Sequence, residues 1–112
     1  MYENLLEPID LGPAKIPNRI FNPPHGTTLG SEGVVTDDLI AYHEARARGG
    51  VGLIILEGMA FHPSFEFESA YLNAGRDTII PGLKKLTRRC REHGTSVLGA
   101  AVPCGACRSI HP

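Results

Sequence analysis

A run of apolar residues near the middle of the chain constrains the fold most strongly. Residues 51–56 are VGLIIL, with no polar side chain and no alternation. A strand covered on one face alternates between apolar and polar residues, whereas a strand covered on both faces is apolar throughout. We therefore predict a buried strand of a parallel sheet at residues 51–56, within an α/β fold.

Helical segments are predicted on both sides of this strand. Thr36 stands at an N-cap position ahead of two aspartates, which predicts a helix over residues 37–48 that ends at the Gly49 and Gly50 pair. A second helix is predicted to begin at Pro81 and to end at Gly94, with its basic residues on the solvated face.

The order of the predicted elements indicates a parallel sheet. The proline-rich opening segment predicts a turn or a small hairpin, followed by a first strand near residues 19–22. A third strand is predicted to start with residues 95–99. Strand, helix, strand, loop, helix, strand is a series of βα units, and such folds place function at the carboxyl ends of their strands.

Size and charge exclude several classes of protein. The chain has 112 residues, 11 basic and 12 acidic side chains, and a net charge of −1, which gives no electrostatic reason to expect a nucleic acid or an anionic membrane as partner. No segment is long and apolar enough for a membrane span, and the first residues lack a signal-peptide pattern. We expect one small cytoplasmic domain. Its three cysteines are expected to stay reduced.

Several segments together resemble a known family. They are NRIFNPPHGT, TDDLIAYHEARARGGVGLIILEG, the HP that follows the second strand, and IPGLKKLTRRCREHGTSVLG. In order and spacing they are similar to the start of the Old Yellow Enzyme family of FMN-dependent NADH:flavin oxidoreductases, close to its dienoyl-CoA reductase and trimethylamine dehydrogenase branch. The resemblance covers residues 5–99.

The resemblance implies a fold and an activity. The family is built on a (β/α)8 TIM barrel, which needs roughly 250 residues, so residues 1–99 are expected to be the N-terminal portion of such a barrel, with about its first three strands and two helices. The implied activity passes a hydride from NADH or NADPH through FMN to a small-molecule substrate such as an activated alkene or enoyl thioester. Loops after the seventh and eighth strands usually supply the phosphate site of a barrel. The chain alone is therefore expected to be inactive.

The resemblance also implies cofactor-binding residues, which follow the first strand or end the second. The backbone of the first group would lie against the isoalloxazine ring, with a threonine hydroxyl in reach of a ring carbonyl, and the last glycine would face the flavin. For the residues that follow the first strand, the alternative is an ordinary βα turn. For the residues that end the second strand, the alternative is a salt bridge inside the barrel. The residues are Pro24, His25, Gly26, Thr27, Glu57 and Gly58.

The last residues depart from the family pattern. After Gly99 the family continues with a Gln-x-x-His-x-Gly-Arg motif, but this chain continues with AAVPCGACRSIHP. With a suitable choice of codons, deletion of one nucleotide at Ala100 changes this tail to Gln-Leu-Phe-His-Ala-Gly-Arg. We therefore expect residues 100–112 to be a frameshifted tail that ends at a premature stop. The alternative, a zinc or redox site at Cys104 and Cys107, has only His111 nearby as a further ligand.

Three other side chains are expected to have structural roles. Cys90 falls on the apolar face of its helix and is expected to be a buried small hydrophobe. His43 is expected to pack or to form a structural hydrogen bond, and His93 to interact with a helix C-terminus.

Two further functions remain as alternatives to an enzyme of this family. One is a catalytically inactive fragment or pseudogene product. The other, more distant, is a small metal or redox module built on the Cys-x-x-Cys pair. No metal site is expected.

Overall fold

The fold contains a hairpin, three further strands and two long helices. In this computed structural model, residues 2–62 and 70–102 are described. A 3-10 turn at Asp77–Ile79 precedes the last helix. In chain order the elements are α1 (Glu3–Leu6), β1 (Ile9–Leu11), β2 (Ala14–Ile16), β3 (Phe21–Asn22), α2 (Asp37–Arg48), β4 (Leu53–Ala60), α3 (Ile80–Glu92) and β5 (Ser96–Val102).

Three strands form a parallel sheet in the order β3-β4-β5. Phe21 lies opposite Leu53 in the first pair, and Leu53 lies opposite Ser96 in the second. β1 and β2 form a separate antiparallel hairpin. The predictions of a parallel sheet and of an opening hairpin are confirmed.

The helices begin and end for the reasons that the sequence suggests. The Thr36 hydroxyl accepts a hydrogen bond from the backbone N–H of Leu39 at 3.2 Å, which caps α2 at the predicted residue. α3 begins one residue before Pro81, because the 3-10 turn leads directly into it. Gly94 follows α3 with φ +84°, a left-handed conformation that costs glycine little.

The core lies between the sheet and the two long helices. Residues of α2, β4 and α3 form one cluster, joined by a leucine and an isoleucine from the segment between β4 and α3. Cys90 is fully buried among them, as predicted. The cluster contains Leu39, Ile40, Ala47, Ile54, Leu56, Met59, Leu72, Ile79, Leu86 and Cys90.

Charged side chains also join the two long helices at their outer faces. Glu44 of α2 lies 3.8 Å from the Arg89 guanidinium and 3.3 Å from His93 Nε2, and the hydrogen bond from His93 is the main cause of a lowered Glu44 pKa. Lys85 lies 2.7 Å from Asp37 and lowers the pKa of that carboxyl. His93 at the end of α3 therefore contacts a carboxylate across the helix pair.

The predicted bounds of β4 are wrong. β4 begins at Leu53 rather than at Val51, and it ends at Ala60, two residues beyond the predicted end at Gly58, because Ala60 still pairs with Val102 of β5 and is buried. β5 continues past Gly99 to Val102 for the same reason. The predicted start of the frameshifted tail thus falls inside β5.

The remainder of the predicted tail lies outside the described residues. It includes Cys104, Cys107 and His111. Within residues 2–62 and 70–102, no cluster of three or more potential metal ligands is present. Among the helices of that part of the chain, none has the length and apolar composition needed to cross a membrane.

Candidate functional site

The candidate site lies at the carboxyl ends of β3 and β4. Residues 23–36 leave β3 and return to α2, and the segment at residues 70–74 packs against both this loop and the end of β4. The Asn73 N–H donates to Gly33 O at 2.9 Å, and the Ala60 N–H donates to Leu72 O at 3.0 Å. Backbone hydrogen bonds therefore hold the two loops together above the sheet.

Glu57 connects β4 to the first loop through Thr27. The Thr27 N–H donates to Glu57 Oε2 at 2.8 Å, and the Thr27 hydroxyl donates to Glu57 Oε1 at 2.9 Å. Glu57 is 1% exposed. Hydrogen bonds to a charged acceptor in a poorly solvated place are stronger than neutral ones. Both carboxylate oxygens are thus engaged by a single residue of the loop.

A register shift in the sheet accompanies the position of Glu57. Ile55 lies opposite Leu98, but Gly58 lies opposite Ala100, so two residues of β4 face one residue of β5. Such bulges redirect a side chain and occur near functional sites. The shift interrupts the alternation of β4 at Glu57, the residue that reaches Thr27.

Further contacts fix the conformation of Thr27. Thr28 has φ 58°, a left-handed conformation that costs a β-branched residue on the order of 1–3 kcal/mol. Its hydroxyl donates to Thr27 O at 2.6 Å, and the Leu29 N–H donates to Thr27 Oγ1 at 3.2 Å. The N–H, the carbonyl and the hydroxyl of Thr27 are therefore all hydrogen-bonded.

His25 is held by helix α2. Its Nδ1 donates to Pro23 O, which can only accept, at 3.1 Å, and its Nε2 is hydrogen-bonded to the Tyr42 hydroxyl at 2.6 Å. The Arg46 guanidinium lies 3.5 Å from the centroid of the Tyr42 ring. The side chain of His25 is thus directed to α2 while its backbone remains in the exposed loop.

His43, the next residue of α2, is buried without a polar partner. It is 1% exposed, and neither ring nitrogen has a hydrogen bond within the described part of the chain. Its ring meets Tyr42 edge to face at 5.1 Å. Burial, with smaller effects of Arg46 and His25, lowers the pKa of His43 to about 4. Of the two roles predicted for His43, the structure assigns packing.

The predicted glycines have different surroundings. Gly26 is exposed, and a Cβ there would meet only Tyr71 Cε1, at 3.7 Å. Gly58 is half-buried, and a Cβ there would lie 2.5 Å from Val102 Cγ2. The Tyr71 ring therefore lies within van der Waals reach of the exposed Gly26, and the Val102 side chain occupies the space that a side chain at position 58 would need.

The structure brings most of the predicted site residues together and adds others. Pro24, His25 and Gly26 lie exposed in the loop, and Thr27 is bonded to Glu57. Sequence reasoning missed Tyr42 and Thr28. Neither gave a usable signal, because a tyrosine on an amphipathic helix and a threonine in a glycine-rich loop are both ordinary. The role of each predicted residue at a cofactor stays a prediction.

Comparison with known proteins gives the family. The profile of the NADH:flavin oxidoreductase / NADH oxidase family matches residues 4–104. The chain belongs to this family. An NADH oxidase from Thermoanaerobacter brockii is 37% identical over 98 residues, which are 86% of this chain and 15% of that protein. An NADPH dehydrogenase from Bacillus subtilis is 32% identical over 99 residues, which are 87% of this chain and 29% of that protein. The chain thus spans well under half the length of these relatives.

Solved structures agree with this assignment. A 2-naphthoyl-CoA reductase in complex with 2-naphthoyl-CoA matches with a TM-score of 0.84 and 29% identity over 90% of this chain and 16% of the other. An Old Yellow Enzyme from Pichia sp. AKU4542 matches with a TM-score of 0.79 and 24% identity over 88% of this chain and 26% of that enzyme. This second match shows a likeness of fold alone. The mixed α/β elements of this chain thus correspond to part of Old Yellow Enzyme-type TIM barrels.

The loop geometry is compatible with the FMN that proteins of this family bind. A flat ring needs an exposed backbone that carries no bulky side chain, and the backbone at Gly26 meets that need. The His25 side chain is turned to Tyr42. The Thr27 hydroxyl proton is already donated to Glu57, so only an oxygen lone pair remains for a ligand.

Proposed function

We propose that the chain supplies one wall of the FMN site of an NADH:flavin oxidoreductase, as the N-terminal portion of its (β/α)8 barrel. The single observation that carries this proposal is the loop at residues 24–27, which is exposed at residues 24–26 and is held at the carboxyl end of the sheet by the buried Glu57. Enzymes built on such barrels place their active sites at this end.

Each predicted residue has a role in the proposal. Pro24, His25 and Gly26 would present their backbone to the face of the isoalloxazine ring, and Thr27 would lie at its edge. Glu57 holds Thr27, and Gly58 would face the flavin. When bound, FMN accepts a hydride from NADH or NADPH and delivers it to the substrate. The protein residues orient the ring and exclude water from one of its faces.

The substrate is proposed to be an electron-poor small molecule, such as an activated alkene or an enoyl thioester. The support is a relative that is an alkene reductase/demethylase and a structural neighbour in complex with an aromatic acyl-CoA. The choice between NADH and NADPH stays open, because relatives with both names match. A cytoplasmic location remains a prediction.

An FMN titration followed by flavin fluorescence tests the proposal. Charge-assisted contacts to a phosphate contribute on the order of 1.5–3 kcal/mol each, and the barrel phosphate site comes from later strands, so the 112-residue chain should show no saturable micromolar binding. It should also show no NADH-dependent reduction of an enone. Tight FMN binding by this chain would contradict its role as a single wall of the site.

The reading frame after Gly99 is a separate part of the proposal. If residues 100–112 are a frameshifted reading, the genomic sequence should encode further βα units in the neighbouring frame, and the protein made from the restored frame should be yellow. An unrelated sequence in that frame would contradict the frameshift. A colourless protein from the restored frame would contradict the FMN site itself.

A further inference from the structure

The contact between Thr27 and Glu57 has a consequence for ligand binding beyond the assignment of an FMN site. We infer that Glu57 is a positioning residue that fixes the direction of the Thr27 hydroxyl, so that Thr27 presents an oxygen lone pair, and not a proton, to the ring. This inference rests on the proposed function, but its first test does not require a cofactor.

The hydrogen-bond capacity of Thr27 gives the first argument. A hydroxyl has one proton and two lone pairs. The proton is donated to Glu57 Oε1, and one lone pair accepts the Leu29 N–H. One lone pair is left. This lone pair can accept a hydrogen bond from a ring N–H, but it repels a ring carbonyl oxygen. The family resemblance instead implies that the Thr27 hydroxyl lies in reach of a ring carbonyl.

The surroundings of Glu57 give the second argument. The side chain is 1% exposed, and no basic side chain forms an ion pair with it in the part of the chain that the structure describes. A buried carboxylate depends on the hydrogen bonds that it accepts. Among the described residues, Thr27 supplies the two hydrogen bonds to the Glu57 carboxylate. Glu57 and Thr27 therefore each fix the position of the other.

The strained backbone next to Thr27 gives the third argument. A left-handed Thr28 persists only where its surroundings over-determine it. Glu57 on one side and the Thr28 hydroxyl on the other hold the Thr27 peptide in one orientation. The exposed backbone at Gly26 is directly attached to this peptide, so loss of Glu57 should release the proposed ring-binding surface.

Amide hydrogen exchange in the 112-residue chain tests the pair directly. Glu57→Ala removes the acceptor of the Thr27 N–H, so the Thr27 amide should exchange roughly ten- to a hundred-fold faster. Glu57→Gln keeps an acceptor oxygen and should retain most of the protection. Glu92→Ala, at an exposed glutamate near the end of α3, is the matched control and should leave Thr27 unchanged. A Thr27 amide that exchanges at the unfolded rate in the wild-type chain would overturn the inference.

The hydroxyl direction is tested with FMN at millimolar concentration, by amide chemical-shift titration of the same chain. Thr27→Val keeps the N–H bond to Glu57 but removes the free lone pair, so it should weaken FMN binding by roughly two- to ten-fold, the effect of one lost hydrogen bond. Glu57→Ala should weaken binding at least about five-fold. In Glu57→Gln the side-chain amide donates to Thr27 Oγ1 and frees the hydroxyl proton. This variant should alter FMN affinity with Thr27 present and leave it unchanged in the Thr27→Val background.

The outcomes distinguish the inference from the proposed function. An unchanged FMN affinity in Glu57→Gln, together with weaker binding in Thr27→Val, would mean that the hydroxyl already donates to the ring in the wild type, and it would overturn the inference while supporting an FMN site. Equal effects of Glu57→Gln in both backgrounds would also overturn it. If FMN shifts no amide of the loop, the proposed function fails together with the flavin part of the inference, while the exchange experiment still decides whether Glu57 holds Thr27.

Discussion

Replacement of the buried His43 by leucine should remove a pH dependence from the stability of the chain. His43 is 1% exposed, both ring nitrogens lack a partner in the described residues, and burial lowers its pKa from 6.5 to about 4. In the unfolded chain the imidazole returns to its ordinary pKa. Between pH 4 and 6.5 the unfolded state therefore binds more protons than the folded state, so stability rises with pH in this window.

The size of the effect follows from the two pKa values. The part of the free energy of unfolding that depends on His43 is fully present above pH 6.5 and is lost as the pH falls toward 4. The total loss is on the order of 3 kcal/mol, of which about 2 kcal/mol falls between pH 7 and pH 5. Leucine has a similar size, needs no hydrogen bond and favours a helix. His43→Leu should therefore be at least as stable as the wild type at pH 7. Its stability advantage over the wild type should be about 2 kcal/mol larger at pH 5 than at pH 7.

The assay is urea unfolding followed by circular dichroism at pH 7 and pH 5 for both proteins. The other histidines and the carboxylates titrate in both chains, so the difference between the two pH-dependent changes isolates His43. Parallel changes in the two proteins would refute the argument, because they would mean that His43 titrates alike in the folded and unfolded states. A His43→Leu chain that is much less stable at both pH values would show that the ring nitrogens have a partner.

Three further results are expected. Thr36→Ala should remove the N-cap of α2 and cost about 1 kcal/mol in the same unfolding assay, and an unchanged midpoint would contradict the observed cap. Leu86→Ala should cost about 2–5 kcal/mol because Leu86 is fully buried in the core, and a cost below about 1 kcal/mol would place it outside the core. Cys90, whose burial raises its pKa to about 11, should react with a thiol reagent only after unfolding in a Cys104→Ser, Cys107→Ser background, and fast labelling of the folded chain would contradict its burial.

The sequence predicts the elements of this fold better than their ends. The helix at residues 37–48 is found with its predicted bounds, because capping and terminal glycines act locally. β4 ends two residues beyond its predicted end at Gly58, because Ala60 stays in the sheet through its pairing with β5. Pairing between strands that are far apart in sequence is not encoded in the local pattern of either strand.

The candidate site was predictable as a region and not as a set of contacts. The resemblance selected the loop at residues 24–27 and the Glu57 position, but the hydrogen bonds from Thr27 join residues 30 apart in the chain. The contact of His25 with Tyr42 spans 17 residues and depends on how α2 packs beside the loop. Neither periodicity nor composition carries this information, because it arises only when the loop meets the helix and the neighbouring strand.

The central claim is that residues 24–27, held by Glu57, form one wall of a flavin site. Its most direct test is to add FMN to the 15N-labelled chain and to map which backbone amides shift. The account predicts shifts concentrated at His25, Gly26 and Thr27 and at the adjacent Gly58, with a millimolar dissociation constant. Shifts confined to the hairpin at the opposite end of the sheet, or no shifts at millimolar FMN, would contradict it.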